Sequence, residues 1–543
     1  MKKILNFLIQ EIKIIRIYFA LKRKIKSFKN TKNKPIILFE FNNYAASQIG
    51  GYYFISNILK KKDHEIKSFY NGYGVKTPFR RSISNFFKWK IKKFLSLGFL
   101  KIYKIYGVKD LIIPSINYCE NNATKKLFKK IKKNIKSKKD ILKIKIHGIL
   151  IGDLIYDTYL TRYTLPTIDI KNKEFLSVMN ECIGLTLYWI KYFQSNKIDY
   201  VIGTHGVYSY AIPFRVALRF NARGFLVNMH GVKEIKENFI YEHSVKRAKK
   251  ELLNKLKKNE KKKLILNAKK KLKELILGNE ISRRESSLKI SSFHNNGNNK
   301  NLIKVSNKIK VLISPHDFFD AAHGYGDHEL FEDYYEWLKY TFKISEETDY
   351  EWYVKTHPDL KGKFGHKQRN TRKIINKMLL NYKNINLLPP NYSHKNIINE
   401  GIDFVVTCHG SVAYEYSLNN IPALIASSCN PYHQFKFTIN SKNKKDYRNK
   451  ILNLEKIKKK FKINKKNIYK FYLLRFYVLS TLNWIFNHKD YCNFMGGWYR
   501  WQDPKIFNYW ILKKNKALDK KINSSLNNYL RSKTSMMLSF HEN

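Results

Sequence analysis

None of the five cysteines (Cys119, Cys182, Cys408, Cys429, Cys492) stands at CxxC spacing or in a short paired framework. That excludes the common zinc-ribbon and disulfide-stapled classes and predicts reduced thiols in a cytoplasmic protein. No apolar run is long enough to cross a bilayer. Residues 1–30 make a poor signal peptide, because charges interrupt the apolar part and no small-residue cleavage site follows. There is no GxGxxG, which argues against a dinucleotide cofactor, and no repeat of solenoid period.

Acidic residues are also scarce. Against 104 lysines and arginines stand 42 aspartates and glutamates, a formal net charge of +62 over 543 residues. Such a balance invites a nucleic-acid or membrane partner. Yet Lys, Asn, Ile, Tyr and Phe are abundant together, as an AT-rich coding bias would produce, and the basic residues are spread everywhere. A solvated surface accounts for most of them, and no specific nucleic acid is expected. One local pattern stands apart. Ile4, Leu5, Leu8, Ile9, Ile12, Ile15 and Phe19 recur at helical spacing between lysines and arginines. Residues 1–30 therefore read as a basic amphipathic helix. It either lies on the anionic inner face of the plasma membrane or packs on the domain behind it.

What remains is an alternation of apolar runs and helical periodicity, with apolar surface enough for two cores (43% hydrophobic). The first series has strand candidates at Lys34–Phe41, Asp110–Ser115, Lys145–Asp153, Asp199–Gly206 and Arg223–Gly231. The loop Asn42–Gly51 follows the first of these and offers flexible backbone at a strand end. A Lys-rich helical region without a clean apolar face spans about 242–277, and the polar stretch Ser291–Asn301 reads as a linker. The second series has candidates at Ile309–Asp317, Tyr350–Asp359, Asn384–Pro390, Ile402–Ser411 and Ile421–Ser428. The expected fold is α/β: two Rossmann-like doubly wound parallel-sheet domains facing a cleft, with helical additions. Its expected divisions are 1–30 (helix), 31–290 (first Rossmann-like domain, with the Lys-rich region), 291–304 (linker), 305–463 (second Rossmann-like domain) and 464–543 (C-terminal helical segment).

Chemistry-bearing residues gather at the ends of the second series of strands. "KTHPD" (Lys355–Asp359) places His357 before Pro358, which holds it extended at a strand end. "TCHGS" (Thr407–Ser411) brings hydroxyls and an imidazole to the start of a helix, where Gly410 and Ser411 open N–H groups to a phosphate. Glu415, one turn on, could accept from ribose hydroxyls. His316, Asp317, Asp320, His323, Asp327 and His328 form a loop cluster. Its spacing matches no standard zinc pattern, so a loop touching donor or acceptor is expected rather than a metal site.

A strand ending in His-Pro, followed some fifty residues later by a strand, a serine turn and a helix with Glu and then "IPAL", resembles the nucleotide half of GT-B glycosyltransferases. The bacterial capsule-polysaccharide group with Kdo and CMP-sialic-acid-using transferases is most similar. The resemblance covers about 309–428. It implies that His357 and Ser411, with Thr407 a lesser candidate, hold the nucleotide phosphate; Lys355, Pro358, Gly410, Glu415 and His316 complete the expected binding set. The turn departs from that group's paired hydroxyls, and His409 has no counterpart in its pattern.

An inverting sugar transfer needs a base for the acceptor hydroxyl. Asp153 is the first candidate and Asp157 the second, each with the alternative of capping or pairing with Arg162; His205, in "GTHG", is the third. The expected activity is metal-independent transfer from a nucleotide sugar, CMP-activated in preference to UDP-activated, to a glycan or glycolipid acceptor of the cell surface. No tightly bound cofactor is expected. UDP-sugar transferases, polyol-phosphate polymerases and sugar-nucleotide epimerases are the rivals on the same fold, and a basic nucleic-acid-binding protein or a membrane scaffold the rivals from other classes.

Overall fold

The structure is a computed structural model. It describes residues 2–29, 31, 33–42, 44–70, 98–108, 111–114, 117–279, 291–294, 301–326, 329–358, 365–428, 430–497 and 503–542. Asp327, His328, Asp359, Cys429 and residues 295–300 of the expected linker lie outside the described residues.

Among the described residues fourteen strands follow in chain order: β1 Ile36–Glu40, β2 Glu65–Phe69, β3 Leu111–Ile112, β4 Lys145–Ile146, β5 Ile149–Leu150, β6 Ile198–Gly203, β7 Arg223–Asn228, β8 Gly231–Ile235, β9 Lys310–Ile313, β10 Glu351–Val354, β11 Ile385–Leu387, β12 Phe404–Thr407, β13 Ala423–Ile425 and β14 Ile439–Asn440. Twelve of them make two six-stranded sheets, ordered β3-β2-β1-β6-β7-β8 and β11-β10-β9-β12-β13-β14. All pairings in the second are parallel; in the first only the β7–β8 edge is antiparallel. Setting aside the small β4–β5 hairpin, each sheet has the doubly wound order third, second, first, fourth, fifth, sixth. The two Rossmann-like domains expected from the alternation are present. β1, β9 and β12 are buried along their whole length, as a sheet covered on both faces requires.

The chain divides into unit 1 (Met1–Arg162, Asp169–Glu242, Leu479–Asn543) and unit 2 (Tyr163–Ile168, His243–Val478). This division differs from the sequence-based one. The Lys-rich helix Lys258–Leu277 falls in unit 2, where Ala268, Leu272 and Leu275 give it a narrow buried face. The stretch 291–304 also lies inside unit 2. Its Phe293 is fully buried and its carbonyl accepts the Ser393 hydroxyl.

Residues 479–543 belong to the core of unit 1. Trp484 donates to the Asn228 carbonyl (3.0 Å) and Trp510 to the Tyr53 hydroxyl (3.1 Å). The expected loop after β1 is short, because Ala45–Leu59 is a helix. Glycines stand inside it at Gly50 and Gly51 because a methyl group there would meet Trp484 and Phe39 at 2.9 and 2.5 Å. Lys145–Asp153 is no sheet strand either. The chain reverses at His147 and Gly148, both with positive φ, and pairs β4 with β5.

Candidate functional site

In unit 2, β9 has β10 on one side and β12 on the other. The crossovers diverge there, which opens a crevice at the carboxyl ends of β9 and β12. His316, three residues beyond β9, fills it. Its Nε2 lies 3.2 Å from Thr407 Oγ1 and accepts the His409 backbone N–H at 3.2 Å. A nitrogen accepting from an N–H bears no proton, so the ring is neutral with its hydrogen on Nδ1. Burial first, and the neighbouring His409 second, push the His316 pKa down to about 3. Thr407 Oγ1 also accepts the Gly410 N–H at 3.3 Å. The Gly410 N–H, expected to face a phosphate, is thus used internally, as is that of His409.

His409 turns out to organise the crevice. Its Nδ1 is 3.1 Å from Glu329 Oε1 and its Nε2 3.1 Å from the Tyr334 hydroxyl. Its ring packs between Tyr325 and His316, with centroids 4.1 and 4.4 Å away. Tyr432 donates to the His409 and Gly410 carbonyls. Glu329, Tyr325, Tyr334 and Tyr432 carry no periodic or spacing signal, and sequence reasoning missed them.

Ser411 is half-buried with helical φ and ψ (−58°, −27°), and its side chain does not cap the helix Val412–Leu418. His357 is exposed and Pro358 half-buried just past β10. The strands carrying His357 and Ser411 flank β9, so they run about 10 Å apart. Glu415 is buried at 1% exposure, which withdraws it from a ribose seated at the surface. Lys355 is buried too. Its Nζ lies 3.4 Å from His394 Nε2, while His394 Nδ1 lies 2.7 Å from the Tyr416 hydroxyl. Burial and then the charge of Lys355 hold His394 far below the usual imidazole range, so a fixed cation sits behind His357 with a neutral ring as its partner.

The described members of the loop cluster do not converge on a common point as metal ligands. His316 Nε2 is occupied as described and His323 Nε2 meets the Glu332 carbonyl at 2.9 Å. Asp317 accepts the Phe319 N–H, and burial raises its pKa to about 6. Among the described residues no three His, Cys, Asp or Glu side chains converge as ligands.

In unit 1, Asp153 opens the helix Gly152–Tyr163, where it is clamped by both terminal nitrogens of buried Arg215 at 2.6 and 2.5 Å. A carboxylate engaged this way has little capacity left as a base. The partner is Arg215 and not Arg162, which pairs with Glu181 at 2.7 Å. Asp157 is buried at 3% exposure within the field of Arg215. His205 is the half-buried one of the three candidates. It stands at the corresponding switch point of unit 1, between β1 and β6.

No family model matches this chain. No curated protein matches it either. Among solved structures, it is similar to UDP-GlcNAc 2-epimerase from Neisseria meningitidis bound to UDP-GlcNAc (11% identity, 81% of this chain and 97% of that one, TM-score 0.25). KpsC of Thermosulfurimonas dismutans, a beta Kdo 2,4 transferase, is similar over 52% of this chain and 81% of its own (13% identity, TM-score 0.29). A glycosyltransferase from Rickettsia africae is similar over 89% and 100% (11% identity, TM-score 0.23). Likenesses this low carry no argument about function, which rests on the site.

Proposed function

We propose that the chain is a glycosyltransferase that takes a sugar from a nucleotide-activated donor and passes it to a glycan or glycolipid acceptor of the cell surface. The observation that carries this reading is in unit 2. An exposed His357 and a non-capping Ser411 hydroxyl occur on the carboxyl edge of one parallel sheet, with the Lys355 cation buried behind the first. Donors on the two strands that flank β9 suit a nucleotide phosphate laid across the end of that strand. The fixed positive charge offsets charge developing on the leaving nucleotide, so an inverting transfer needs no metal there. A CMP-activated sugar is the favoured donor and a UDP-activated one the alternative.

The N-terminal helix supports a peripheral place on an anionic membrane. Lys2–Lys24 is helical, with Ile14, Ile17 and Leu21 buried in the unit 1 core and Leu5, Ile9, Ile12 and Phe19 exposed. At 3.6 residues per turn the exposed four share a face about 80° wide, opposite the buried one. Exposed Lys13, Arg16, Lys22 and Arg23 accompany it, and the helix's Glu11 is buried. Anionic lipid complements that charge, whereas a second copy of so basic a chain would repel it.

The test is a thermal-shift series with CMP-, UDP-, GDP- and CDP-sugars on the wild type and His357→Ala. One nucleotide class is expected to stabilise the wild type, by about 2.7 kcal/mol at a hundredfold excess over Kd, and to lose that effect in the variant. If every nucleotide leaves the wild type unmoved, the reading falls.

A further inference from the structure

Unit 1 has its own switch point, and a carboxylate, a hydroxyl and an imidazole are strung across it. Glu40, the last residue of β1, is buried at 3% exposure. Its Oε2 accepts the Thr204 backbone N–H at 2.7 Å and lies 2.8 Å from Thr204 Oγ1, which in turn lies 2.8 Å from His205 Nδ1. The carboxylate reaches this far because β6 ends in Gly203, where a methyl group would stand 2.7 Å from Glu40 Oε2. A second buried carboxylate fixes the far side of the loop, as Glu242 Oε2 accepts the Gly206 N–H at 2.7 Å. His205 is thus held between two anchored backbone amides. The Tyr44 and Tyr210 rings lie beside it at 5.2 and 5.8 Å.

The direction of the chain follows from counting protons. With Glu40 ionised, the Thr204 hydroxyl hydrogen goes to Oε2, so Oγ1 accepts and His205 Nδ1 donates. The basic nitrogen is then Nε2, which makes no hydrogen bond with a described residue on a half-buried ring. Burial raises the Glu40 pKa, and a positive His205 acts against that rise. A charged imidazole at this position therefore favours the ionised form of the Glu40 carboxyl.

We infer that His205 Nε2 is the proton acceptor for the incoming hydroxyl, with Glu40 and Thr204 as positioning residues; this rests on the transferase reading above. In the step, the acceptor oxygen forms a bond to the anomeric carbon and the bond from that carbon to the nucleoside phosphate breaks. The departing phosphate keeps the electron pair, and the hydroxyl proton passes to Nε2. The imidazolium so formed is balanced through Thr204 by the Glu40 carboxylate. Asp153, bound to Arg215, is left with a structural part.

Two measurements on the full chain test this. The first follows nucleotide release from CMP-, UDP-, GDP- and CDP-sugars, with water as the accepting hydroxyl. His205→Ala is expected to lose about 100-fold or more in rate, to keep the nucleotide-induced thermal shift, and to regain activity with added imidazole. Glu40→Gln should lose less and not respond to imidazole. A wild-type rate in His205→Ala overturns the assignment while leaving the donor reading standing; no nucleotide shift on the wild type sinks the donor reading instead. The second needs no donor. Diethyl pyrocarbonate should modify His205 readily at pH 7, read by peptide mass spectrometry, and more slowly in Glu40→Gln, where the ring no longer has a carboxylate to keep its hydrogen on Nδ1. An unreactive His205, or equal rates in the two proteins, overturns the relay whatever the first measurement gives.

Discussion

The two sheets repeat one strand order but furnish their switch points differently. Each fourth strand leads into a threonine, then a histidine, then a glycine: Thr204, His205 and Gly206 in unit 1, Thr407, His409 and Gly410 in unit 2. Each threonine oxygen meets a residue from the first strand or just beyond it. In unit 1 that residue is a buried carboxylate, so the threonine passes negative character to the imidazole. In unit 2 it is a neutral imidazole, and the carboxylate of that crevice, Glu329, meets the His409 ring instead. One exchange, Glu40 for His316, leaves the first threonine against a carboxylate and the second against a neutral ring.

Three experiments press on that comparison. The largest effect is expected at another buried carboxylate of unit 1. Asp153 depends on Arg215 as Glu40 does not, so Arg215→Ala should cost about 3–5 kcal/mol by leaving a buried charge without its partner. Chemical unfolding would show it, and a loss below about 1 kcal/mol would mean that the clamp is not structural. A smaller effect should appear with acid. The folded-state pKa of His316 is depressed from the ordinary imidazole value of about 6.5 to about 3. The unfolded chain therefore takes up the proton first, and the stability that His316 contributes above pH 6.5 declines as pH falls towards 3. The melting midpoint should fall less steeply between pH 6.5 and 4 in His316→Asn than in the wild type; parallel curves would contradict the buried neutral ring. The smallest effect on the fold, though not on location, is expected from Ile9→Glu with Ile12→Glu. These exposed residues should leave the melting midpoint within about 1 °C while reducing flotation with phosphatidylglycerol vesicles several-fold, and unchanged flotation would remove the helix from membrane binding.

The sheets were legible in the sequence because their central strands are short apolar runs closed by polar or glycine residues, as at Lys34–Phe41 and Ile402–Ser411. β2, at Glu65–Phe69, and β8, at Gly231–Ile235, escaped notice because their charged residues break the run. Lys145–Asp153 read as one strand because hydropathy does not register the positive φ of His147. The candidate phosphate residues lay in the sequence because Pro358 and Gly410 punctuate strand ends. Asp153 drew attention for the right composition and the wrong reason, since its partner Arg215 is distant in sequence. Glu40 was open to detection as the acidic end of "ILFE", but its value lies in Thr204, which only the pairing of β1 with β6 brings near.

The discontinuity of unit 1 has a consequence for biosynthesis. Everything unit 2 needs has been synthesised once Val478 is made, whereas Trp484 and Trp510 come after it. Domains emerging from the tunnel ordinarily mature in the order of their first residues. Here the half begun first is completed last, and its nascent sheet must wait through the whole synthesis of its neighbour for the tryptophans that seal it.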